Sequence, residues 1–124
     1  MIEINDQFKR ALHAIEETSK NVFITGKAGT GKSTLLSYCV ERFSKPFAVL
    51  APTGVAALNV DGETIHSFFR FKPNITLKEA KKKGAKARND ELYTDLKTII
   101  IDEVSMVRAD LMDCIDAFLR AARR

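Results

Sequence analysis

Apolar positions along this chain follow two patterns. Three short runs, Val22-Phe23-Ile24, Phe47-Ala48-Val49-Leu50-Ala51 and Thr98-Ile99-Ile100-Ile101, are continuous rather than alternating, which predicts strands covered on both faces. Elsewhere apolar residues recur at helical spacing: Phe8, Leu12 and Ile15; Leu35, Leu36, Cys39 and Val40; Val107, Leu111, Cys114, Ile115 and Phe118. Each set lays one stripe toward a core. Strands alternating with helices predict a parallel sheet with helical crossovers, an α/β fold. Ala51-Pro52-Thr53-Gly54 reads as a turn leaving the second strand and entering a helix through Val55-Ala56-Ala57. Residues 73–97 break the pattern. They are too polar and too rich in Lys for a core and predict a basic surface insertion, with a helix from Leu77 to Arg88 ended near Gly84.

Composition narrows this picture. A length of 124 residues suits one compact domain, and 45% hydrophobic with 29% charged residues is a globular mixture rather than a disordered or collagenous one. The longest charge-free stretch, Pro46 to Val60, is 15 residues and is broken by Pro52 and Gly54, too short for a bilayer span. The acidic start Met1-Ile2-Glu3-Ile4-Asn5-Asp6 lacks the basic and apolar regions of a signal peptide, so the expectation is an intracellular protein. Cys39 and Cys114 have no second Cys or clustered His nearby and read as free core residues. Residues 72–88 hold seven Lys or Arg against one acid. Such a patch can hold nucleic acid or can be a solvated face.

The sharpest chemical signal is Gly26-Lys27-Ala28-Gly29-Thr30-Gly31-Lys32-Ser33. It fits the phosphate-binding loop pattern Gly-x-x-x-x-Gly-Lys-Ser/Thr between a predicted strand and a predicted helix. Glycines let successive backbone N–H groups turn inward around phosphate oxygens, and the following helix adds its positive end. Lys32 would reach the β and γ phosphates, and the Ser33 hydroxyl would ligate Mg²⁺. The third strand runs into Asp102-Glu103, at the carboxyl end of a buried strand, where open α/β sheets bind ligands. Asp102 would hold the metal ion through water, and Glu103 would face the γ phosphate and polarise the attacking water. Thr64-Ile65-His66-Ser67-Phe68-Phe69 gathers hydroxyls, an imidazole and aromatics; spacing alone favours a structural His66 and core phenylalanines.

Four motifs in order make a more specific signature: Gly26 to Thr34, Thr53-Gly54-Val55-Ala56-Ala57-Leu58-Asn59-Val60, Thr64-Ile65-His66-Ser67-Phe68, and Ile101-Asp102-Glu103-Val104-Ser105-Met106-Val107. Over nearly its whole length apart from 73–97, the chain resembles the Pif-type DNA helicases, relatives of RecD within superfamily 1. The resemblance implies a RecA-like phosphate-loop ATPase domain with helices on both sheet faces. It implies ATP and Mg²⁺ as cofactors, single-stranded DNA as partner, 5′ to 3′ movement, and work in DNA repair, recombination or genome maintenance. It places Gly26, Lys27, Ala28, Gly29, Thr30, Gly31, Lys32, Ser33 and Thr34 around the nucleotide, with Lys32 and Glu103 catalytic and Ser33 and Asp102 on the metal. It makes Thr53, Gly54, Thr64, His66 and Phe68 DNA contacts. Gln7 resembles the glutamine by which these helicases recognise adenine, whose edge matches a carboxamide's donor and acceptor.

Two rivals stand beside this reading: another phosphate-loop enzyme, such as an assembly-type ATPase or a nucleotide kinase, and a module that binds nucleotide or DNA without turnover. The residues after Arg124 are also part of the expectation. Relatives continue with a strand bearing Gly-Asp-x-x-Gln-Leu-Pro-Pro, which lies between the phosphate-loop strand and the Asp-Glu strand, and then with a second motor domain that supplies an arginine finger. None of Arg108, Arg120, Arg123 and Arg124 stands where that finger belongs. Without the intervening strand, two unpaired edges predict self-association, a swapped element or a distorted sheet.

Overall fold

A computed structural model describes residues 6–18, 21–24, 32–42 and 46–123, with the side chains of residues 7, 8 and 32–34 outside that description. The chain divides into two compact units, Met1–Ser44 and Lys45–Arg124.

In the N-terminal unit the two predicted helices form: α1 (Asp6–Glu17) and α2 (Lys32–Arg42). The apolar stripe of α1 is half-buried at Leu12 and Ile15, and α2 buries Leu35 and Cys39. An ion pair of 3.8 Å joins Arg42 of α2 to Glu16 of α1. The same guanidinium lies over the Tyr38 ring and donates to its hydroxyl at 2.8 Å. Burial, reinforced by Glu16 and opposed by Arg42, pushes the Cys39 thiol above its ordinary value.

The expected strand Val22-Phe23-Ile24 is not formed. Residues 21–24 carry no strand hydrogen bonding, and Phe23 is 75% exposed. Apolarity alone does not make a strand, because a strand exists only where a second one takes its backbone donors and acceptors. The described elements of this unit are helices.

The C-terminal unit holds the sheet. Its elements run β1 (Phe47–Ala51), α3 (Gly54–Asn59), β2 (Glu63–Thr64), α4 (Ile65–Phe69), α5 (Leu77–Lys86), α6 (Glu91–Thr94), β3 (Thr98–Ile101), a 3₁₀ turn (Val104–Met106) and α7 (Ala109–Ala122). Three parallel strands stand in the order β2-β1-β3. In register, Leu50 lies opposite both Glu63 and Ile101, and Ala51 opposite Thr64. The carboxyl ends of all three strands therefore fall at one edge. Two of the three predicted apolar runs are these strands, and the parallel α/β architecture is as expected.

Beneath the sheet lies an aromatic core. Phe69 makes edge contacts with Phe68 and Phe118, at ring centroid distances of 4.9 and 5.1 Å, and stacks on Phe71 at 5.3 Å. Tyr93 closes the group against Phe118 at 4.8 Å and donates its hydroxyl to the Phe68 carbonyl at 2.6 Å. That bond serves one of the carbonyls an α-helix leaves unpaired at its C-terminus.

Residues 73–97 are not a peripheral arm. Ala80 and Gly84 of α5 are buried, as are Tyr93 and Leu96. Nor does Gly84 end the helix, which continues to Lys86. A Cβ at Gly84 would stand 2.3 Å from the Phe118 carbonyl oxygen, so glycine is there to let α5 and α7 touch backbone to backbone. Within α5, Lys78, Lys81, Lys82 and Lys86 are exposed while Ala80 and Gly84 are buried. Arg123 fixes its far end, donating to the carbonyls of Tyr93, Thr94 and Leu96 at 2.8, 3.2 and 2.7 Å. Among the described residues no helix is long and apolar enough to cross a membrane.

Candidate functional site

At the carboxyl edge each strand hands over to residues that the sequence marks as functional. After β1 come Pro52, Thr53 and Gly54; β2 ends on Thr64; β3 is followed by Asp102 and Glu103. The backbone N–H of Asp102 donates to the Leu50 carbonyl at 2.9 Å, so the ladder between β1 and β3 carries on to the first acid. Neighbouring strands lie about 4.8 Å apart, which puts the Thr64 strand and the acid strand roughly 10 Å apart with Thr53-Gly54 between them.

The hydroxyls of Thr53 and Thr64 are built in the same way. Each residue is an extended N-cap whose Oγ1 accepts a backbone N–H, from Ala56 at 3.2 Å and from Ser67 at 3.1 Å. Capping uses the oxygen as acceptor and leaves the hydroxyl hydrogen free to donate outward, as a phosphate oxygen requires. Gly54 opens α3, and a Cβ built there meets nothing within 4 Å. The chain's own packing does not demand this glycine; it leaves the surface open to something arriving from outside. His66 is half-exposed and its imidazole has no hydrogen-bond partner among the described residues. Phe68 departs from the expected DNA-contact set: it is 6% exposed and its ring packs edge-on to Phe69 and Tyr93. Its place is the core, because α4 turns the side chains of Ile65, Phe68 and Phe69 inward together.

Asp102 is half-exposed and Glu103 exposed, and neither carboxylate has a hydrogen bond or ion pair among the described residues. Glu103 adopts φ 55°, ψ 41°, a left-handed conformation that costs a non-glycine residue energy and is held only where the surroundings impose it. The kink turns the chain sharply out of β3 into the 3₁₀ turn. Nothing in the sequence announced it, since Glu is not a residue of such turns. Among the described residues no group of three or more His, Cys, Asp or Glu side chains is placed to hold a metal by itself. The free carboxylate of Asp102 nevertheless suits Mg²⁺, a hard cation taken up by one or two protein oxygens together with substrate phosphates and water.

The profile of the PIF1-like helicases matches residues 3–124. This chain belongs to the PIF1-like helicase family. It is 40% identical over 126 residues to the ATP-dependent DNA helicase PIF1 of Emericella nidulans, covering 93% of this chain and 17% of that protein. The solved Pif1 helicase of Candida albicans superposes with a TM-score of 0.81 at 31% identity, covering all of this chain and 30% of the other. The Bacteroides Pif1 helicase in complex with ADP-AlF3 and ssDNA gives a TM-score of 0.78 at 37% identity, covering 98% of this chain and 29% of the other. The chain thus spans about one sixth of its curated relative's length. Membership of the PIF1-like family sets aside the nucleotide kinases and assembly ATPases.

Within that family frame the sheet brings together Thr53, Gly54, Thr64, Asp102 and Glu103. Lys32 opens α2, as a phosphate-loop lysine does, with Ser33 and Thr34 in the same first turn, while Gln7 lies in the first turn of α1. The side chains of these four residues, and Gly26, Lys27, Ala28, Gly29, Thr30 and Gly31 altogether, lie outside the described residues. The arginines near the C-terminus are engaged: Arg108 pairs with Asp110, Arg120 with Asp116, and Arg123 with the carbonyls after α6; Arg124 is outside the described residues.

Proposed function

We propose that this chain is the nucleotide-binding part of the first motor domain of an ATP-dependent DNA helicase that moves along single-stranded DNA. The observation that carries the reading is the register of the sheet, which sets Thr53, Gly54 and Thr64 beside Asp102 and Glu103 at one edge of three adjoining strands. Residues suited to grip a phosphodiester backbone stand at the ends of β1 and β2 and residues suited to nucleotide hydrolysis at the end of β3, so movement of one group is felt by the other through the sheet.

In this reading Lys32 offsets charge on the β and γ phosphates of ATP, and the phosphate-loop N–H groups from Gly26 to Gly31 hold the remaining oxygens. Ser33 and Asp102 would each offer an oxygen to Mg²⁺, which when bound would neutralise charge developing on the phosphates. Glu103 orients the attacking water and takes its proton. Gln7 recognises the adenine edge. Thr53 and Thr64 donate their hydroxyl hydrogens to DNA phosphates, Gly54 admits the strand, and His66 donates or accepts at the same surface. Polarity of 5′ to 3′, a role in DNA repair, recombination or genome maintenance, and residence in the nucleoid-bearing cytoplasm or the nucleus belong to the same proposal, supported by the family.

The Lys32→Ala variant of the full-length protein is expected to lose DNA-stimulated ATP hydrolysis and retain its fold; undiminished turnover would remove the assignment. Tailed duplexes with a 5′ or a 3′ overhang test polarity. The 124 residues alone are expected to bind Mg-ATP with little turnover, because none of Arg108, Arg120, Arg123 and Arg124 stands where the family's arginine finger belongs and such a finger is worth about 10³ to 10⁵ in rate. We include self-association through the outer edge of β3, which pairs with no strand among the described residues, because an open edge invites pairing with another chain. A mass by light scattering that stays monomeric across concentration would rule it out.

A further inference from the structure

The basic residues of α5 form a stripe rather than a scatter. Lys78, Lys82 and Lys86 recur every fourth residue, Lys81 stands beside them, and all four are exposed. The opposite side of the helix, at Ala80 and Gly84, is buried, with Gly84 against the Phe118 backbone. Glu79 sits near Cys114, Gly84 meets Phe118, and Arg88 donates to the Ala121 carbonyl at 3.0 Å. These contacts run in step, so α5 lies alongside α7 and in the same direction. It is a fixed helix with its lysines turned away from the core. None of Lys78, Lys81, Lys82 and Lys86 has an ion pair among the described residues, and the one acid on α5, Glu79, accepts from Thr76 at 2.8 Å in the helix cap.

We propose that this stripe is a second nucleic-acid surface, distinct from the carboxyl edge of the sheet, and that it holds the phosphate backbone of duplex DNA. The proposal rests on the helicase reading and adds to it a grip on the double-stranded side of the substrate. Lys78 to Lys86 spans about 12 Å along the helix axis, and about seven backbone charges lie along that length of a duplex. The helix carries no aromatic side chain on which a base could stack, whereas single-strand surfaces combine charge with stacking. A membrane is a poor match as well, because the face that would enter the lipid is already committed to α7. Lysines that act as point charges along a rigid line suit a rigid, regularly charged rod, and they read no sequence.

The test is the triple variant Lys78→Ala, Lys82→Ala, Lys86→Ala in the full-length protein, beside the triple Arg variant. Affinity for a blunt 20-base-pair duplex and for an oligo-dT of equal length is measured across a KCl series. On the duplex, the slope of log affinity against log salt is expected to fall by about 0.9 for each contact removed, about 2.7 in all. The Arg variant keeps the original slope. An unchanged duplex slope overturns the proposal, and so does an equal fall on oligo-dT, which would assign the stripe to the single-strand track. Gly54→Ala, read on oligo-dT in the same series, reports on the carboxyl-edge reading by itself, so either surface can fail without the other.

Discussion

At the scale of single residues, the site is written in small conformational choices. Glu103 holds a left-handed backbone that a glycine would adopt freely. Glu103→Gly is therefore expected to raise stability by about 1 kcal/mol while removing ATP turnover, and Glu103→Gln should lose turnover with no gain in stability. Denaturant midpoints and steady-state hydrolysis on the two variants separate strain from chemistry. Gly54 is the reverse case, a glycine with open space where its side chain would be. Gly54→Ala should leave stability within about 0.5 kcal/mol and weaken binding of single-stranded DNA. A large loss of stability would show that the glycine serves the fold instead.

At the scale of elements, the contact between α5 and α7 is made by an absence of side chain. Alanine is the better helix former, so propensity alone predicts that Gly84→Ala stabilises by up to about 1 kcal/mol. The Cβ would press on the Phe118 backbone, which cannot move aside as a flexible side chain does. Overpacking of this kind costs about 1 to 3 kcal/mol, so a net loss is expected, measured as a lowered denaturant midpoint. A stabilised variant would mean that the two helices can part at little cost. The same pair of helices explains why a segment so rich in Lys reaches the core: within α5 it is Ala80 and Gly84 that are buried, while Lys78, Lys81, Lys82 and Lys86 are exposed.

At the scale of the whole C-terminal unit, Tyr93 ties the α6 segment to α4 and to the aromatic core. Burial raises its phenol above the ordinary value of 10.0, with Arg70 pulling the other way and Asp90 and Glu63 reinforcing the rise. In the unfolded chain the phenol ionises at its ordinary value, whereas the folded one resists. The contribution to stability is therefore full below pH 10.0 and is lost as pH rises through the folded value. Urea unfolding at pH 8 and at increasing alkalinity should show this limb. Tyr93→Phe should abolish that contribution and cost about 1 to 3 kcal/mol at neutral pH, because the Phe68 carbonyl is left without its partner.

Much of this protein is legible in its sequence. The runs at Phe47–Ala51 and Thr98–Ile101 specify buried parallel strands because continuous apolarity has no solvated face to offer. The order of the motifs specifies the family. The carboxyl edge as a working surface follows from strand direction alone, since parallel strands must all end on the same side. What the sequence could not decide depends on neighbours distant in the chain. Val22-Phe23-Ile24 has the apolarity of a strand but carries no strand hydrogen bonding. Phe68 keeps its motif position yet spends its ring on the core, because Phe69 and Tyr93 close around it. The lysines of α5 became a surface only when α7 took the other side of the helix. Local pattern fixes which residues can be buried; the partner across the interface determines which of them are.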